Sequence, residues 1–358
     1  MISTTPASSC RRQRRTRATS AGLLAVSFAL LAQPVGADEG GVSFWVPGFF
    51  GSLATTPQVP GFSFANIFYH TTVDAGADVA FARQVPIGRI TVPFSGNVNA
   101  NLDARATLGF AIPQYVFATP LLGGQASVLM LVPYGKNTVS VDATLAAALG
   151  PIGFTIGGER TDSVTGFGDL IPMFTLRWNH GVHNFMTYIT GDIPVGAYDS
   201  QRLANLGIGH GAIDSGGGYT YFNTATGHEF SAMLGFTYNF ENPSTQYQNG
   251  IDMHLDWGAS QFVTKQLQLG LVGYAYKQLS CDSGAGDRVG CFESQVFGIG
   301  PQLGYIIPMG DLQGYLNIKG YKEFGAEHRP EGWNVWLTFA ISPAAPTPSA
   351  PPRHMITK

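Results

Sequence analysis

The chain has 358 residues, of which 44% are hydrophobic and only 12% are charged. Its formal net charge of −3 lacks the excess of lysine and arginine that nucleic-acid binding needs, so a nucleic-acid partner is excluded. So few charges also leave too little polar surface to solubilise an ordinary domain, and a lipid bilayer is the partner that could take their place.

Residues 1–37 are organised like a cleavable export signal. Five arginines lie between Arg11 and Arg17, Ala21–Ala32 is an apolar run too short to span a bilayer, and Val35–Ala37 is a small-residue cleavage site. Removal of this signal peptide leaves 15 basic and 23 acidic residues, a formal net charge of −8. No later apolar run is long enough for a transmembrane helix. We therefore expect export to the bacterial outer membrane without a helical span.

Residues 38–96 are irregular and rich in glycine and proline, with one possible strand at residues 62–70. Two interpretations stay open for this N-terminal region. It is either a plug inside a barrel, or it contributes a first strand. If residues 97–119 also break near Pro113, the barrel would have fourteen strands rather than twelve.

Side chains alternate between apolar and polar along much of the remaining chain. The clearest example is His228–Phe240, where Phe230, Leu234 and Phe236 share one face and polar residues share the other. This run is longer than the ~5 to 6 residues of a typical globular strand. A soluble sandwich would show the same alternation, but the export signal favours a barrel with its apolar face in lipid.

The pattern predicts an all-β fold: a transmembrane antiparallel up-and-down β-barrel of about twelve strands, spanning residues 97–341. Short turns alternate with longer loops, as in bacterial outer-membrane barrels, and a disordered Pro-rich tail follows at residues 342–358. The predicted strands are 97–119, 124–133, 137–149, 166–178, 183–193, 216–223, 228–240, 250–263, 266–279, 292–307, 311–324 and 332–341. The predicted short turns are 134–136, 179–182, 224–227, 264–265 and 308–310, and residues 150–165 are predicted to be a loop.

Cys281 and Cys291 are the two cysteines that remain after the signal peptide is removed. In an oxidising export compartment, an even pair at this short spacing predicts a disulfide that constrains a hydrophilic loop. No histidine or second cysteine pair lies nearby in sequence, so a metal site there is the weaker interpretation.

Asp252, His254 and Asp256 alternate along one strand and share a face. They are metal-ligand types, but neighbours on one strand rarely converge on a single ion, so lining of the lumen is the preferred interpretation. Whether the inward side chains line a solute path or fill a narrow lumen stays open. The full predicted lumen set is Glu229, Asn239, Asp252, His254, Asp256, Tyr274, Tyr276, Tyr315, Asn317, Lys319 and Tyr321.

Aromatic residues near strand ends predict the interface belts of a membrane protein. Trp178, Tyr188, Trp257 and Trp333 are assigned to these belts, whereas Trp336 falls on the inward side. The chain has neither a G-x-S-x-G nor an H-E-x-x-H motif. No enzymatic activity and no cofactor are predicted.

From Gly235 onward, and at a few upstream positions, the sequence resembles the bacterial outer-membrane proteins named for the meta-pathway of phenol degradation. The most specific part of the resemblance is the run NPSTQYQNGIDMHLDW, beginning at Asn242. Other residues that carry it are Pro60-Gly61, Leu122 to Gly124, Asn239 to Glu241, Gly273-Tyr274, Gln278, Asp282, Gly284, Gly300-Pro301, Gly304-Tyr305 and Arg329 to Gly332. The resemblance implies a β-barrel transporter or channel associated with the catabolism of aromatic compounds. It implies no catalytic residues.

The function expected from these observations is passive uptake of small apolar or aromatic molecules through an outer-membrane channel. A closed barrel with a structural or surface-binding role is the alternative, and an outer-membrane hydrolase is the third hypothesis. Tyrosine-rich inward faces would suit solutes whose rings stack on tyrosine.

Overall fold

The computed structural model describes residues 43–76, 96–149, 152–287, 290–291 and 293–345. The predicted signal peptide lies outside these ranges, as does the predicted tail from residue 346 onward. Within the described ranges, no helix is long and apolar enough to cross a membrane.

Thirteen strands in the described residues form one antiparallel sheet that closes on itself. β1 pairs with β2 on one side and with β13 on the other, which completes the ring. β3 pairs with β5 over its first part and with β4 over the rest, so β4 and β5 act as two halves of one barrel strand. The strands are β1 (Gly61–Ala75), β2 (Gly96–Val116), β3 (Gln125–Leu149), β4 (Ile152–Phe167), β5 (Ile171–His180), β6 (His183–Asp192), β7 (Ala212–Asn223), β8 (His228–Asn239), β9 (Asp252–Phe262), β10 (Leu267–Gln278), β11 (Gln295–Met309), β12 (Leu312–Glu327) and β13 (Glu331–Pro343).

The prediction of a closed antiparallel barrel of twelve strands is confirmed, but the membership of the twelve differs from the prediction. The predicted turn at residues 134–136 is wrong, because β3 runs through it without a break. The turn-like residues there mark the point where β3 changes partner from β5 to β4. Gly135 permits close strand contact, since a Cβ at this position would lie 2.1 Å from the carbonyl oxygen of Thr107.

Two further boundaries differ for a related reason. Residues 150–165, predicted to be a loop, lie mostly in β4, whose glycines Gly157 and Gly158 pair with β3 instead of forming a turn. The sheet also begins at Gly61 rather than at residue 97: the possible strand at residues 62–70 lies within β1, which closes the barrel. The prediction counted β3 as two strands and left out β1, so the two errors cancel in the predicted count of twelve.

The barrel is apolar outside and polar inside, as a lipid-embedded barrel requires. Along β8, Phe230, Leu234 and Phe236 are exposed on the outer surface, while Glu229 and Thr237 are buried in the lumen. Exposed aromatic side chains lie near both ends of the wall. Those near one end include Tyr134, Phe167, Tyr238, Phe240 and Trp333, and those near the other include Phe62, Tyr115, Phe117 and Phe185. Trp333 fits the predicted belt, whereas the assignment of Tyr188 to it is wrong, because this side chain is buried inside.

The two ends of the barrel differ in their connections. One end carries the connections 117–124, 181–182, 224–227, 263–266 and 310–311, and we call it the turn end. The other carries the longer connections, including residues 193–211, 240–251 and 279–294, and we call it the loop end. Short turns face the periplasm in bacterial barrels, so the loop end is the extracellular one.

The predicted disulfide is confirmed at the loop end. The sulfur atoms of Cys281 and Cys291 are 2.05 Å apart, within the connection between β10 and β11. The same connection is held to the preceding loop, since Gln248 and Ser283 form an antiparallel bridge and the Gly250 amide donates to Asp282. The disulfide therefore fixes a loop that packs against its neighbour.

Residues 193–211 fold back onto the inner surface of β2–β4. They lie farther along the barrel axis, at the loop end, than the exposed aromatic side chains there. Leu203 and Ala204 pack against Leu102, Val139 and Val141 on those strands. Arg202 donates two hydrogen bonds to Asp162 of β4, at 3.1 and 2.9 Å, and the amide of Ala204 donates to the same carboxylate at 3.3 Å. This loop is thus attached to the barrel by an apolar contact, an ion pair and further hydrogen bonds, such as that from Asn137 to the Asn205 carbonyl at 2.9 Å.

Acid is expected to break the contact between this loop and Asp162. The hydrogen-bonded guanidinium of Arg202 lowers the pKa of Asp162 to about 2, from its ordinary value of 3.8. A lowered carboxyl pKa means that the contact is complete above about pH 4 and is lost as the pH falls through about 2. Hydrogen exchange at the Ala204 amide, corrected for intrinsic rates, should follow that window, with little change elsewhere because exposed ion pairs contribute little.

An Asp162→Asn variant is the matched test of this transition. It should expose the Ala204 amide at every pH, whereas Asp311→Asn, which removes an exposed acid at the turn end, should keep the wild-type transition. Equal protection of Ala204 at pH 2 and pH 6 in the wild type would contradict the assignment.

Candidate functional site in the barrel lumen

All eleven predicted lumen residues lie on the inner face of the wall. Ten of them are buried, and Tyr315 is partly buried. Among them, Glu229, His254, Asp256, Lys319 and Tyr321 contact a segment of the same chain, residues 43–60, which we call the N-terminal segment. The lumen wall and this segment together form the candidate functional site.

The N-terminal segment runs down the lumen from the loop end to the turn end. Trp45 stacks on His254, which lies near the loop end of β9. Farther down, the Leu53 amide donates to Glu229 at 2.9 Å, and Thr55 bonds to Thr220 and to the carbonyl of Asn184. The chain then leaves the lumen and reverses into β1. The segment is therefore bound to the wall along its whole length.

An acid and a base hold the middle of the segment by its backbone. The carboxylate of Asp256 accepts the amides of Gly48 and Phe50, at 2.8 and 3.1 Å. The ammonium of Lys319 donates to the carbonyl oxygens of Gly48, Phe49 and Phe50, at 2.5, 3.1 and 2.9 Å. Both side chains are buried, and bonds to charged groups are among the strongest hydrogen bonds in proteins. Asp256 and Lys319 are thus the main polar anchors of the segment.

His254 forms a second anchor, nearer the loop end. Its Nε2 atom lies 2.9 Å from Asp214 Oδ2 and 3.3 Å from the hydroxyl of Tyr188. The Trp45 ring stacks on its imidazole, with centroids 3.8 Å apart and planes 16° from parallel. Thr237 donates to the same Asp214 oxygen at 2.5 Å. The imidazole is fixed by hydrogen bonds at its edge and by an aromatic ring on its face.

Asp252, His254 and Asp256 do not share a common centre. Asp252 accepts a hydrogen bond from Asn239 at 2.9 Å, His254 pairs with Asp214, and Asp256 binds the segment backbone. Each therefore uses a different partner, and the described residues do not assemble a metal site from these three.

The other predicted lumen residues make contacts of two kinds. Glu229 binds the segment through the Leu53 amide and also accepts a hydrogen bond from Ser260. Tyr321 also reaches the segment, and the others contact further residues of the barrel. Tyr274 donates to Glu323, Tyr315 donates to Gln268, Asn317 donates to the Leu303 carbonyl, Arg329 lies over the Tyr276 ring, and the Tyr321 hydroxyl lies 3.4 Å from the Gly48 carbonyl.

Sequence reasoning missed several members of the site. Asp214 was predicted to lie in a loop, but β7 begins at Ala212 and places it inside. Tyr188 shares its face of β6 with the buried Asn184, Met186 and Thr190, a signal that identifies its inward position. No periodicity identified Trp45 or the segment residues that bind Lys319, because residues 43–60 form no strand.

The space left around the segment differs between its two ends. Beside Trp45 and Phe49, an apolar cavity of about 20 Å³ is lined by Phe110, Leu131 and Trp336 among others. At the turn end a larger pocket of about 310 Å³ lies beside Thr55 and Pro57. The segment therefore fills the middle of the lumen more completely than the turn end.

Comparisons with known proteins agree with this architecture. The COG4313 outer membrane channel from Pseudomonas putida F1 matches with a TM-score of 0.58 at 11% identity, over 80% of this chain and 97% of that one. The transport unit of the autotransporter AIDA-I from Escherichia coli scores 0.37 at 10% identity, over 83% and 94% of the two chains. A FadL homologue from Pseudomonas aeruginosa scores 0.34 at 9% identity, over 86% and 96%.

The first of these matches shows a shared fold, and the other two fall below that level. A search of curated proteins found no match. The family model described as "Putative MetA-pathway of phenol degradation" matches residues 87–339, about 70% of the sequence. The chain therefore belongs to that family, with the fold of an outer-membrane β-barrel.

Proposed function

We propose that this protein is an outer-membrane channel for passive uptake of small apolar or aromatic molecules, and that the N-terminal segment gates it. The observation that carries the proposal is the way the segment is held. It occupies a lumen lined by polar side chains, and it is bound there by hydrogen bonds and ring contacts rather than by strand pairing. Contacts of this kind can exchange for contacts with water or solute without opening the barrel wall.

The rings around the segment support an aromatic or apolar solute. Trp45, Phe49 and Phe50 of the segment contact one another, and they also contact Tyr188 and Trp336 of the wall. Aromatic pairs in such edge and offset arrangements gain energy beyond simple burial. A small aromatic molecule can make the same contacts with the wall when the segment moves. The similar Pseudomonas putida protein is described as an outer membrane channel, which agrees with the proposal.

Single-channel recording of the mature protein, residues 38–358, in a planar bilayer tests the proposal. We expect discrete conductance steps, and we expect a neutral aromatic solute such as phenol to shorten or block them, whereas a sugar of similar size should not. An aromatic effect of this kind would assign the rings of the lumen to the solute path. Silence from a folded, heat-modifiable barrel would contradict the channel.

The filled lumen itself favours one second candidate, a closed barrel with a structural or surface-binding role. In that case the segment would be a permanent core, and Asp256 and Lys319 would contribute only stability. The same recording separates the two functions, because a permanent core predicts no conductance with or without solute.

A further inference from the structure

Arg177 is a buried cation that has no acidic partner among the described residues. It lies on the inner face of β5 near the turn end, and only 8% of its surface is exposed. Its Nη1 atom donates to the hydroxyls of Ser127 and Thr175, and its Nε atom is buried without any hydrogen bond. No carboxylate of the described residues forms an ion pair with it.

The contrast with Lys319 shows what is missing. Lys319 is also buried inside the barrel, but its ammonium group donates to three backbone carbonyls of the segment. Asp256 binds backbone amides of the same part of the segment. Arg177 has only two hydroxyls. Burial of a charge is costly unless it is both paired and hydrogen-bonded, so this guanidinium lacks an anion that would complete its surroundings.

The side chain borders a pocket in which such an anion fits. Arg177 lines the pocket of about 310 Å³ at the turn end, at the lower end of the size range of small-molecule sites. Gln125 and Asn179 supply further polar groups, and Phe117 and Trp178 supply aromatic surface. The pocket thus combines one cation with flat apolar walls.

The positions of the pocket walls are fixed by their own contacts. Trp178 donates from its ring nitrogen to the Leu122 carbonyl at 3.2 Å, which ties β5 to the connection between β2 and β3. Gln125 exchanges two hydrogen bonds with the backbone of Gln58, at 3.0 and 2.6 Å. Arg177 and Gln125 are also register partners across β3 and β5. The pocket is therefore formed before any ligand arrives.

We propose that this pocket binds a small aromatic carboxylate, with its carboxylate on Arg177 and its ring against Phe117 and Trp178. A guanidinium presents its N–H groups as a planar fork that matches a carboxylate, which favours this ligand over a neutral aromatic of the same shape. Its place in a transport route rests on the proposed function, because the turn end is where a solute would leave the lumen. Binding itself does not depend on that function.

Calorimetric titration of the detergent-purified mature protein with benzoate and with benzamide tests the site. The two ligands have nearly the same shape and differ in charge. We expect benzoate to bind at least about tenfold more tightly than benzamide, since hydrogen bonds between charged groups are the stronger kind. Arg177→Met should remove the preference, and Arg177→Lys should keep part of it. The matched control is Arg105→Met, which removes an exposed arginine from β2 and should change nothing.

Two other outcomes of the titration would overturn the proposal. Sulfate binding as tightly as benzoate would overturn the aromatic assignment, and equal binding of benzoate and benzamide would overturn the site. Heat-modifiability checks that each variant is folded. If Arg177→Met does not fold, Arg177→Lys still tests the site. Benzoate binding without any wild-type conductance would support the site and contradict the channel. Conductance without benzoate binding would do the reverse.

Discussion

A disulfide between the N-terminal segment and the wall is expected to close the channel reversibly. The hydroxyl oxygens of Ser52 in the segment and Ser260 in β9 are 3.5 Å apart, so the S52C/S260C double variant needs only a small approach to reach the ~2.05 Å of a disulfide. Under oxidising conditions we expect single-channel conductance to fall to the level of a bilayer without protein. Dithiothreitol should restore the wild-type steps.

Three controls isolate the effect of the cross-link. The S52C single variant and the S52A/S260A double variant should conduct like the wild type under both conditions. Wild-type protein with and without dithiothreitol accounts for the native disulfide of Cys281 and Cys291. Full conductance from the oxidised, cross-linked protein would mean that solute and ions pass without movement of the segment at Ser52.

Loss of the Lys319 ammonium is expected to have the opposite effect. Lys319→Met removes three charge-assisted hydrogen bonds to the segment backbone and leaves three carbonyl oxygens without that donor. Removal of one side of a buried charged contact typically costs about 3 to 5 kcal/mol. If that loss falls on the docked segment, the docked state is disfavoured by roughly a hundredfold or more. Open probability in the bilayer should rise accordingly.

Lys322→Met is the matched control, because it makes the same substitution on the same strand at an exposed position. It should leave the open probability unchanged. Asp256→Asn should raise it, and the double variant with Lys319→Met should be non-additive because both side chains hold the same backbone turn. An unchanged open probability in Lys319→Met, with normal heat-modifiability, would show that the segment is not the gate.

The lipid-facing design of the barrel could be predicted because it repeats along the chain. Alternation in β8 and β9 identified the outward Phe230 and Phe236 and the inward Asp252 and His254, and the structure places them so. Parity decides these positions, since successive side chains of a strand point to opposite faces. Parity gives no information on which inward side chains meet across the lumen. The partnership of His254 with Asp214 depends on register between strands 40 residues apart.

Turn chemistry was the weaker guide. The proline and glycine around Tyr134 have the composition of a turn, yet there they allow one strand to change partners. Residues 43–60 gave no strand signal because their backbone groups bond to side chains of the wall instead of to another strand. A segment whose hydrogen-bond partners come from distant strands has no local pattern by which its position can be recognised.

The closing pair of strands sets an order of events during assembly. β1 and β13 are the first and last strands in the described residues, and their pairing joins Phe64 to Ile341. The N-terminal segment directly precedes β1 and lies inside the finished barrel. The wall must therefore close around the segment, and contacts between residues so distant in sequence form slowly. A shortened segment would thus be expected to alter the rate of barrel closure, as well as the passage of solute through the completed pore.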